Sequence, residues 1–139
     1  MKNYNMQAKR RQIKFLEKKE IEKILEHIKL NNLRGLRDRA IIEVLFSTGL
    51  RVAELVSLPD APFINENKTT LELSISGKGG FQRTIYFSPR ALRAIKYYLA
   101  VREQSKKIST LLFPITIRGL RYMVKRRGLS AGFEGVQLG

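Results

Sequence analysis

Several scarcities limit what this 139-residue chain can be. It has no cysteine and no tryptophan, and His27 is its single histidine. Without cysteine there is neither a disulfide nor a thiolate metal site, and one histidine leaves little for metal chemistry. No apolar run approaches the roughly 18 residues of a membrane-spanning helix, and the first residues are basic rather than an apolar secretion signal. These absences predict a soluble, metal-free, cytoplasmic protein.

Acidic residues are also few. The chain has 12 Asp and Glu against 27 Lys and Arg, which gives a formal charge of +15 and a pI near 10.5. Such a charge attracts polyanions through counterion release and long-range steering, so nucleic acid is the first partner to expect. A cationic membrane-surface protein would need an amphipathic helix with Trp or Phe on its apolar face, which is not evident here. With 43% hydrophobic residues, the chain is expected to bury one modest core.

The first half of the chain predicts a helical unit behind a basic arm. Residues 1–14 contain five Lys and Arg but no acid, which is typical of an arm or linker. Residues 18–30 carry apolar residues at the spacing of one helix face, and residues 36–48 are apolar on two faces, as in a central helix. Gly49 is the expected left-handed end of that helix, and residues 51–58 predict a short further helix.

The pattern then changes from helical spacing to alternation. Residues 71–76 alternate apolar and polar side chains, and residues 81–87 are rich in aromatic and β-branched ones. Each segment predicts a strand, and the turn at residues 77–80 between them makes an antiparallel hairpin with Lys78 at its tip.

Two more helices complete the prediction. Ser88 and Pro89 are a typical helix start, and another helix follows Thr116 and is expected to end at Gly128. The apolar face of this last helix is predicted to consist of Ile117, Leu120, Met123 and Val124. The fold class expected is therefore α+β, mainly helical, with a small antiparallel sheet.

Arg51 is poorly placed for an ordinary arginine. It opens a helix, where free N–H groups and the helix dipole already carry partial positive charge, so an anion such as a DNA phosphate would suit that position. Its planar guanidinium can hold two phosphate oxygens. The alternative is an ion pair with Glu54, three residues later, and the residues alone do not decide between them.

A second group of cations lies on the last helix. Arg118, Arg121 and Lys125 share one face opposite the apolar one, with no acid between Thr116 and Arg127. Such a face either contacts nucleic acid or is merely solvated. His27 lies off its helix's apolar stripe and is interpreted as a surface residue.

Four segments in order carry a family resemblance. They are Leu36–Ala40 (LRDRA), Thr48–Leu55 (TGLRVAEL), Gly77–Gly79 (GKG) and Leu111–Phe113 (LLF) ahead of the basic helix. The chain resembles tyrosine recombinases of the phage-integrase family, of the XerC and XerD type. The resemblance covers residues 15–132 and implies part of the catalytic domain, preceded by the arm and followed by an irregular tail at residues 133–139.

The resemblance also implies roles for individual residues. The arginine matching Arg51 contacts the scissile phosphate, the acid matching Glu54 supports the site, and the lysine matching Lys78 protonates the leaving 5′-oxygen. Arg83 is a further candidate for a phosphate contact, although it could be simply an exposed strand arginine. Without the resemblance, Lys78 would be an exposed turn lysine and Glu54 an ordinary helix carboxylate.

The family resemblance further implies the chemistry and the partners. Recombinases of this type cut and rejoin duplex DNA through a 3′-phosphotyrosine without metal or nucleotide, and other recombinase protomers are expected partners of the full-length form. The family's later His-x-x-Arg motif and its tyrosine nucleophile have no match in these residues. We therefore expect a chain that binds DNA and does not cleave it alone.

Two alternatives to a recombinase portion remain at this point. One is a catalytically inactive DNA-binding or regulatory module derived from a recombinase, which coding sequence beyond Gly139 would distinguish. The other is a basic RNA-binding protein, which the hairpin and the turn at Arg51 do not favour.

Overall fold

The elements in the computed structural model confirm the predicted class. The structure describes residues 11–13, 16–64, 68–104 and 109–138, so most of the predicted basic arm lies outside the described residues. Within these ranges no helix is long and apolar enough to cross a membrane. The elements are β1 (Arg11–Gln12), α1 (Lys18–Glu26), α2 (Leu33–Thr48), α3 (Val52–Val56), β2 (Leu71–Ser76), β3 (Gln82–Phe87), α4 (Pro89–Gln104), α5 (Ile117–Ser130) and β4 (Val136–Gln137).

Helix α2 is the centre of the core, as its two apolar faces predict. All residues from Ala40 to Leu45 are buried, including the carboxylate-bearing Glu43. The helix begins three residues earlier than predicted, because the Asn32 side chain accepts the Gly35 N–H at 2.8 Å and caps the first turn. It ends where expected, at Gly49, whose φ of 69° is left-handed.

Helix α1 is shorter than its apolar pattern indicates. It ends at Glu26 rather than at residue 30, and the His27 N–H bonds back to the Ile24 carbonyl at 3.2 Å. Ile28 is nevertheless buried, so the apolar stripe continues beyond the end of the helix. His27 is exposed, as predicted.

The predicted hairpin is confirmed. Strands β2 and β3 are antiparallel, in register from Leu71 opposite Phe87 to Ser76 opposite Gln82. Phe87 is fully buried and meets the Phe63 ring edge-on at 5.1 Å between centroids, which holds the base of the hairpin to the core.

The two ends of the described chain meet in a way the sequence does not suggest. Strand β1 pairs in parallel with β4, Arg11 opposite Val136 and Gln12 opposite Gln137. The prediction of an irregular tail over residues 133–139 is therefore wrong at Val136 and Gln137. A two-residue ladder is formed by backbone groups and is too short to produce a side-chain alternation.

Helix α5 also differs from its prediction at both ends. It continues through Gly128 to Ser130, and Gly128 is a buried interior residue rather than the end. A Cβ at this glycine would lie 2.8 Å from Val136 Cγ2, so its role is to admit β4. Ile117, placed on the apolar face by its spacing, is 37% exposed because it occupies the first turn, beyond the packed part of the helix.

Two buried carboxylates of α2 bring in arginines from other helices. Glu43 accepts a hydrogen bond from Arg90 Nε of α4 at 2.6 Å, and Asp38 accepts one from Arg127 Nε of α5 at 3.0 Å. Arg90 also contacts Glu22 of α1, and the hydrogen bonds that it donates to both glutamates raise the Arg90 pKa above its ordinary value. These pairs join α1, α4 and α5 to the central helix.

Gly128→Ala tests whether the packing of β4 against α5 requires a residue without a side chain at position 128. Alanine favours a helix by up to about 1 kcal/mol over glycine, but the contact with Val136 should reverse that gain and destabilise the protein by about 1–3 kcal/mol. Denaturant unfolding of Gly128→Ala, Val136→Gly and the double variant measures the coupling, because glycine at 136 removes both the Cγ2 and the Cβ that the new methyl would meet. In the Val136→Gly background the change at residue 128 should become neutral or stabilising; an equal loss in both backgrounds would contradict the packing argument.

Candidate functional site

A tight reversal between α2 and α3 presents Arg51. The Thr48 hydroxyl donates to the Val44 carbonyl at 2.7 Å and accepts the Leu50 N–H at 3.2 Å. With Gly49 left-handed and Arg51 extended, the chain leaves one helix and starts the next within three residues. This reversal places the Arg51 side chain on the surface at the first turn of α3.

Glu54 is the residue that organises this turn. Its Oε1 accepts the Arg51 backbone N–H at 3.0 Å and a guanidinium N–H of Arg83 at 2.5 Å. Arg83 belongs to β3, 29 residues along the chain, so the pair joins the hairpin to α3. The Glu54 side chain is only 12% exposed, and a carboxylate so enclosed needs partners of this kind.

These contacts change the acidity of Glu54. Burial works to raise its pKa, but the hydrogen bonds from the Arg51 N–H and the Arg83 guanidinium, with the charges of both arginines, outweigh burial. The net effect is a pKa below the ordinary value, so Glu54 is a stable carboxylate at neutral pH.

The interpretation of Arg51 as the ion-pair partner of Glu54 is wrong. The contact uses the Arg51 backbone amide, and the guanidinium that reaches the carboxylate is that of Arg83. Among the described residues, no carboxylate lies within ion-pair distance of the Arg51 guanidinium. The side chain is thus exposed and its positive charge is available to an anion.

The tip of the hairpin lies beside Arg51. The Gly77 N–H bonds to the Phe81 carbonyl at 2.6 Å, and Lys78–Gly80 form a single 3-10 turn with Gly79 and Gly80 at positive φ. This confirms the predicted position of Lys78 at the tip; its side chain is outside what the structure describes. Positive φ at two successive residues is the reason for the paired glycines.

A shallow cavity of about 290 Å³ joins the turn to the hairpin. Its lining comes from both elements and consists of Arg51, Glu54, Gly77, Phe81 and Arg83. Two arginines against one glutamate leave a formal excess of one positive charge there. The structure therefore brings together the two arginines and the acid that the sequence singled out, and Lys78 follows the lining residue Gly77 in the hairpin turn.

Phe81 is a feature that the sequence reasoning missed. Its ring is 78% exposed at the rim of this cavity, although its sequence context predicts no more than a strand residue. An aromatic next to a glycine turn is a weak signal on its own, because strands are commonly rich in aromatics.

The basic face of α5 adjoins the same region. Arg118, Arg121 and Lys125 are all exposed, as predicted. Leu138 borders a cleft lined by Arg121 and Lys125, and it also borders a cleft lined by Arg51. The face and the turn are thus neighbours on either side of the C-terminal segment. The described part of the chain has no group of three or more His, Asp or Glu side chains that could hold a metal ion.

The tyrosines differ in accessibility. Tyr98 is buried and its hydroxyl donates to the Leu112 carbonyl at 2.9 Å, and burial raises its pKa. Tyr86, Tyr97 and Tyr122 are more than half exposed, and none of them lines the cavity beside Arg51.

Comparison with known proteins identifies the family. A model described as the phage integrase family matches residues 14–136. The chain is 37% identical over 123 residues to a tyrosine recombinase XerC of Leptospira interrogans (serovar copenhageni), a match covering 83% of this chain and 39% of that protein. With the XerC of Bacillus subtilis (strain 168) it shares 34% over 123 residues, covering 80% and 39%. The chain belongs to the phage integrase family and spans about two fifths of the length of these relatives.

Solved structures agree on the fold. A XerA recombinase crystal structure superposes with a TM-score of 0.69 at 24% identity, covering 85% of this chain and 43% of the other. A XerH site-specific recombinase bound to a palindromic difH substrate gives 0.66 at 27% identity, covering 87% and 36%.

Arg83→Gln should raise the pKa of Glu54, because it removes a charged donor from a partly buried carboxylate. A side-chain carboxyl NMR titration measures the midpoint, and Arg93→Gln on α4 is the control that should leave it in place. The pKa of Glu54 is lower in the folded protein than in the unfolded chain, where it is about 4.5. The pairing therefore stabilises the protein at pH values above 4.5, and this stability is lost as the pH falls through the lowered pKa of Glu54. An identical midpoint in all three proteins would mean that Arg83 does not act on Glu54.

Proposed function

We propose that this chain is the DNA-binding portion of a site-specific tyrosine recombinase, which cuts and joins DNA by way of a 3′-phosphotyrosine. The observation that carries the proposal is the exposed guanidinium of Arg51 beside the hairpin tip: no carboxylate of the described residues pairs with it, whereas Arg83 pairs with Glu54. An arginine held this way is ready to take a phosphate in place of a carboxylate.

The chemistry of phosphodiester transfer accounts for the residues at this cavity. Negative charge develops on the non-bridging oxygens and needs a cation where it develops, which is the role of Arg51. The departing 5′-alkoxide needs a proton, and Lys78 on the hairpin tip is the donor. Glu54 positions Arg51 through the backbone N–H, and Arg83 holds Glu54 charged. Contact of Arg83 itself with a phosphate is a further element of the proposal, since part of its guanidinium stays exposed.

Duplex DNA is the partner to which the charge is best suited. The exposed cations of α5 lie across the C-terminal segment from Arg51, and we propose that they contact phosphates neighbouring the one that reacts. The XerH structures similar to this chain are bound to difH substrate, which supports the same class of partner here. Other recombinase protomers complete the assembly of the whole protein.

We assign DNA binding to this chain, but not the whole recombination reaction. Only His27 could begin a His-x-x-Arg motif, and the residue three positions later is Leu30. We therefore propose that the chain positions a phosphate and a proton donor, and that the second arginine and the nucleophile come from elsewhere in the complete recombinase.

Changing Arg118, Arg121 and Lys125 together to Ala should reduce the salt dependence of duplex binding. Removing a cation that pairs with one phosphate lowers the slope of log K against log salt by about 0.9, so the slope should fall by up to about three units. Fluorescence anisotropy with a labelled duplex at several salt concentrations measures it.

A control with the same charge change is Lys29, Arg93 and Lys96 to Ala, since these residues line neither the cavities at Arg51 nor the cleft at Arg121 and Lys125. That variant should keep most of the slope. Equal slopes for both triple variants would make the α5 face an ordinary solvated surface, and a salt-independent native affinity would exclude phosphate contacts altogether.

Lys78→Ala tests the proton-donor role in a recombinase completed with the family's missing motifs. Loss of a general acid typically slows a reaction by about 10²- to 10⁴-fold, so cleavage of ordinary DNA should slow by that order. A substrate with sulfur at the bridging 5′ position should be cut at nearly the native rate, because the thiolate leaves without a proton.

Arg51→Ala is the matched comparison. It should stay slow on both substrates, because the sulfur does not relieve charge on the non-bridging oxygens. If the sulfur substrate rescues both variants or neither, Lys78 is not the acid.

A further inference from the structure

A second arginine cluster lies between α2 and α5, away from Arg51. It surrounds a pocket of about 330 Å³ whose lining includes Arg34, Arg37, Arg126 and Arg127. Among the residues that the structure describes, Asp38 is the only acidic side chain in that lining. Four guanidiniums against one carboxylate leave a formal excess of three positive charges, a surplus larger than that of the cavity beside Arg51.

Asp38 holds two of these arginines in position, and both of its carboxylate oxygens are engaged by them. One of its oxygens accepts Nε and Nη2 of Arg37 at 3.0 and 2.9 Å. The other accepts Arg127 Nε at 3.0 Å, with Arg127 Nη2 at 2.9 Å. The aspartate is 2% exposed, whereas both arginine side chains keep about a quarter of their surface exposed. Their remaining N–H groups therefore stand at the pocket, oriented but not neutralised.

The other two arginines complete the opening. Arg34 and Arg126 are exposed, and the Arg126 guanidinium lies 5.7 Å from the centre of the Tyr122 ring. Stacking on an aromatic ring limits the positions of a guanidinium without satisfying its hydrogen bonds. Several oriented guanidiniums with N–H groups left to donate suit an oxyanion, and the oxygens of a phosphate match the paired N–H groups of a planar guanidinium.

We propose that this pocket binds a phosphate oxyanion, and that in the DNA complex this is a backbone phosphate at a position other than the scissile one. The choice of DNA as its source rests on the proposed function. It follows from α5, which carries Arg126 on one flank and Arg118, Arg121 and Lys125 on another. A duplex lying against this helix would reach both sets of cations.

The first arm of the test uses inorganic phosphate and no DNA. Titration of the ¹⁵N-labelled 139-residue chain should move the amides of Gly119, Tyr122 and Arg126 saturably, compared with chloride at equal ionic strength. Arg34→Gln combined with Arg126→Gln should weaken that binding by about tenfold or more, since two charged donors are removed. Neither residue contacts Asp38, so the ion cluster joining the helices is kept. Lys29→Gln with Arg93→Gln is the control of equal charge.

The second arm measures duplex binding of the same proteins against salt. The slope of the pocket variant should fall by about one unit for one phosphate contact, and that of the control should fall by less. A pocket variant with impaired phosphate binding but an unchanged slope would overturn DNA as the source and assign the pocket to a free phosphate compound. The absence of a saturable response, or equal weakening in the control, would overturn the pocket itself. Failure of duplex binding in every protein would refute the proposed function, while the first arm would still decide on the pocket.

Discussion

The fold depends on the burial of the middle of α2, where Asp38 and every residue from Ala40 to Leu45 are buried. A carboxylate in this segment cannot be left without a partner, because an unpaired buried charge costs several kcal/mol. Glu43 and Asp38 of this helix therefore require arginines, and these come from α4 through Arg90 and from α5 through Arg127. Apolar packing brings the helices together, and the ion pairs join α4 and α5 to the carboxylates of α2. The turn at Gly49 and the basic face of α5 take their positions from this arrangement.

The same need for a charged partner applies to a carboxylate near the surface. Glu54 is enclosed and needs a charged partner, and Arg83 supplies it from a distant strand, so that Arg51 does not have to. One carboxylate thereby holds the first turn of α3, anchors the hairpin that carries Lys78 and leaves the Arg51 guanidinium to an external anion. Asp38 has a similar role, since this one carboxylate holds Arg37 and Arg127 in position while their combined positive charge exceeds its negative charge. In both places a single acidic residue holds more than one arginine and leaves an excess of positive charge.

Sequence reasoning worked where the information is local. The alternation in residues 71–76, the glycines of the hairpin tip and the left-handed end at Gly49 are each specified by neighbours along the chain. The sequence did not predict the contacts between distant residues. Glu54 pairs with Arg83, 29 residues away, and Asp38 pairs with Arg127, 89 residues away. Gly128 belongs with these failures, because a glycine that admits a strand has the same sequence signature as one that ends a helix. The resemblance implied roles for Arg51 and Lys78, but it did not indicate which arginine pairs with Glu54.

The central claim is that the Arg51 guanidinium makes the main phosphate contact at this cavity, while Arg83 stays paired with Glu54 and makes only a secondary contact. The most direct measurement is arginine side-chain NMR, which follows the Nε–H signals of both residues while a short duplex is added. The account predicts that the Arg51 signal shifts strongly and becomes protected from exchange with solvent, whereas the Arg83 signal shifts less because its pairing with Glu54 persists. A duplex that moved the Arg83 signal and left that of Arg51 unchanged would contradict the account.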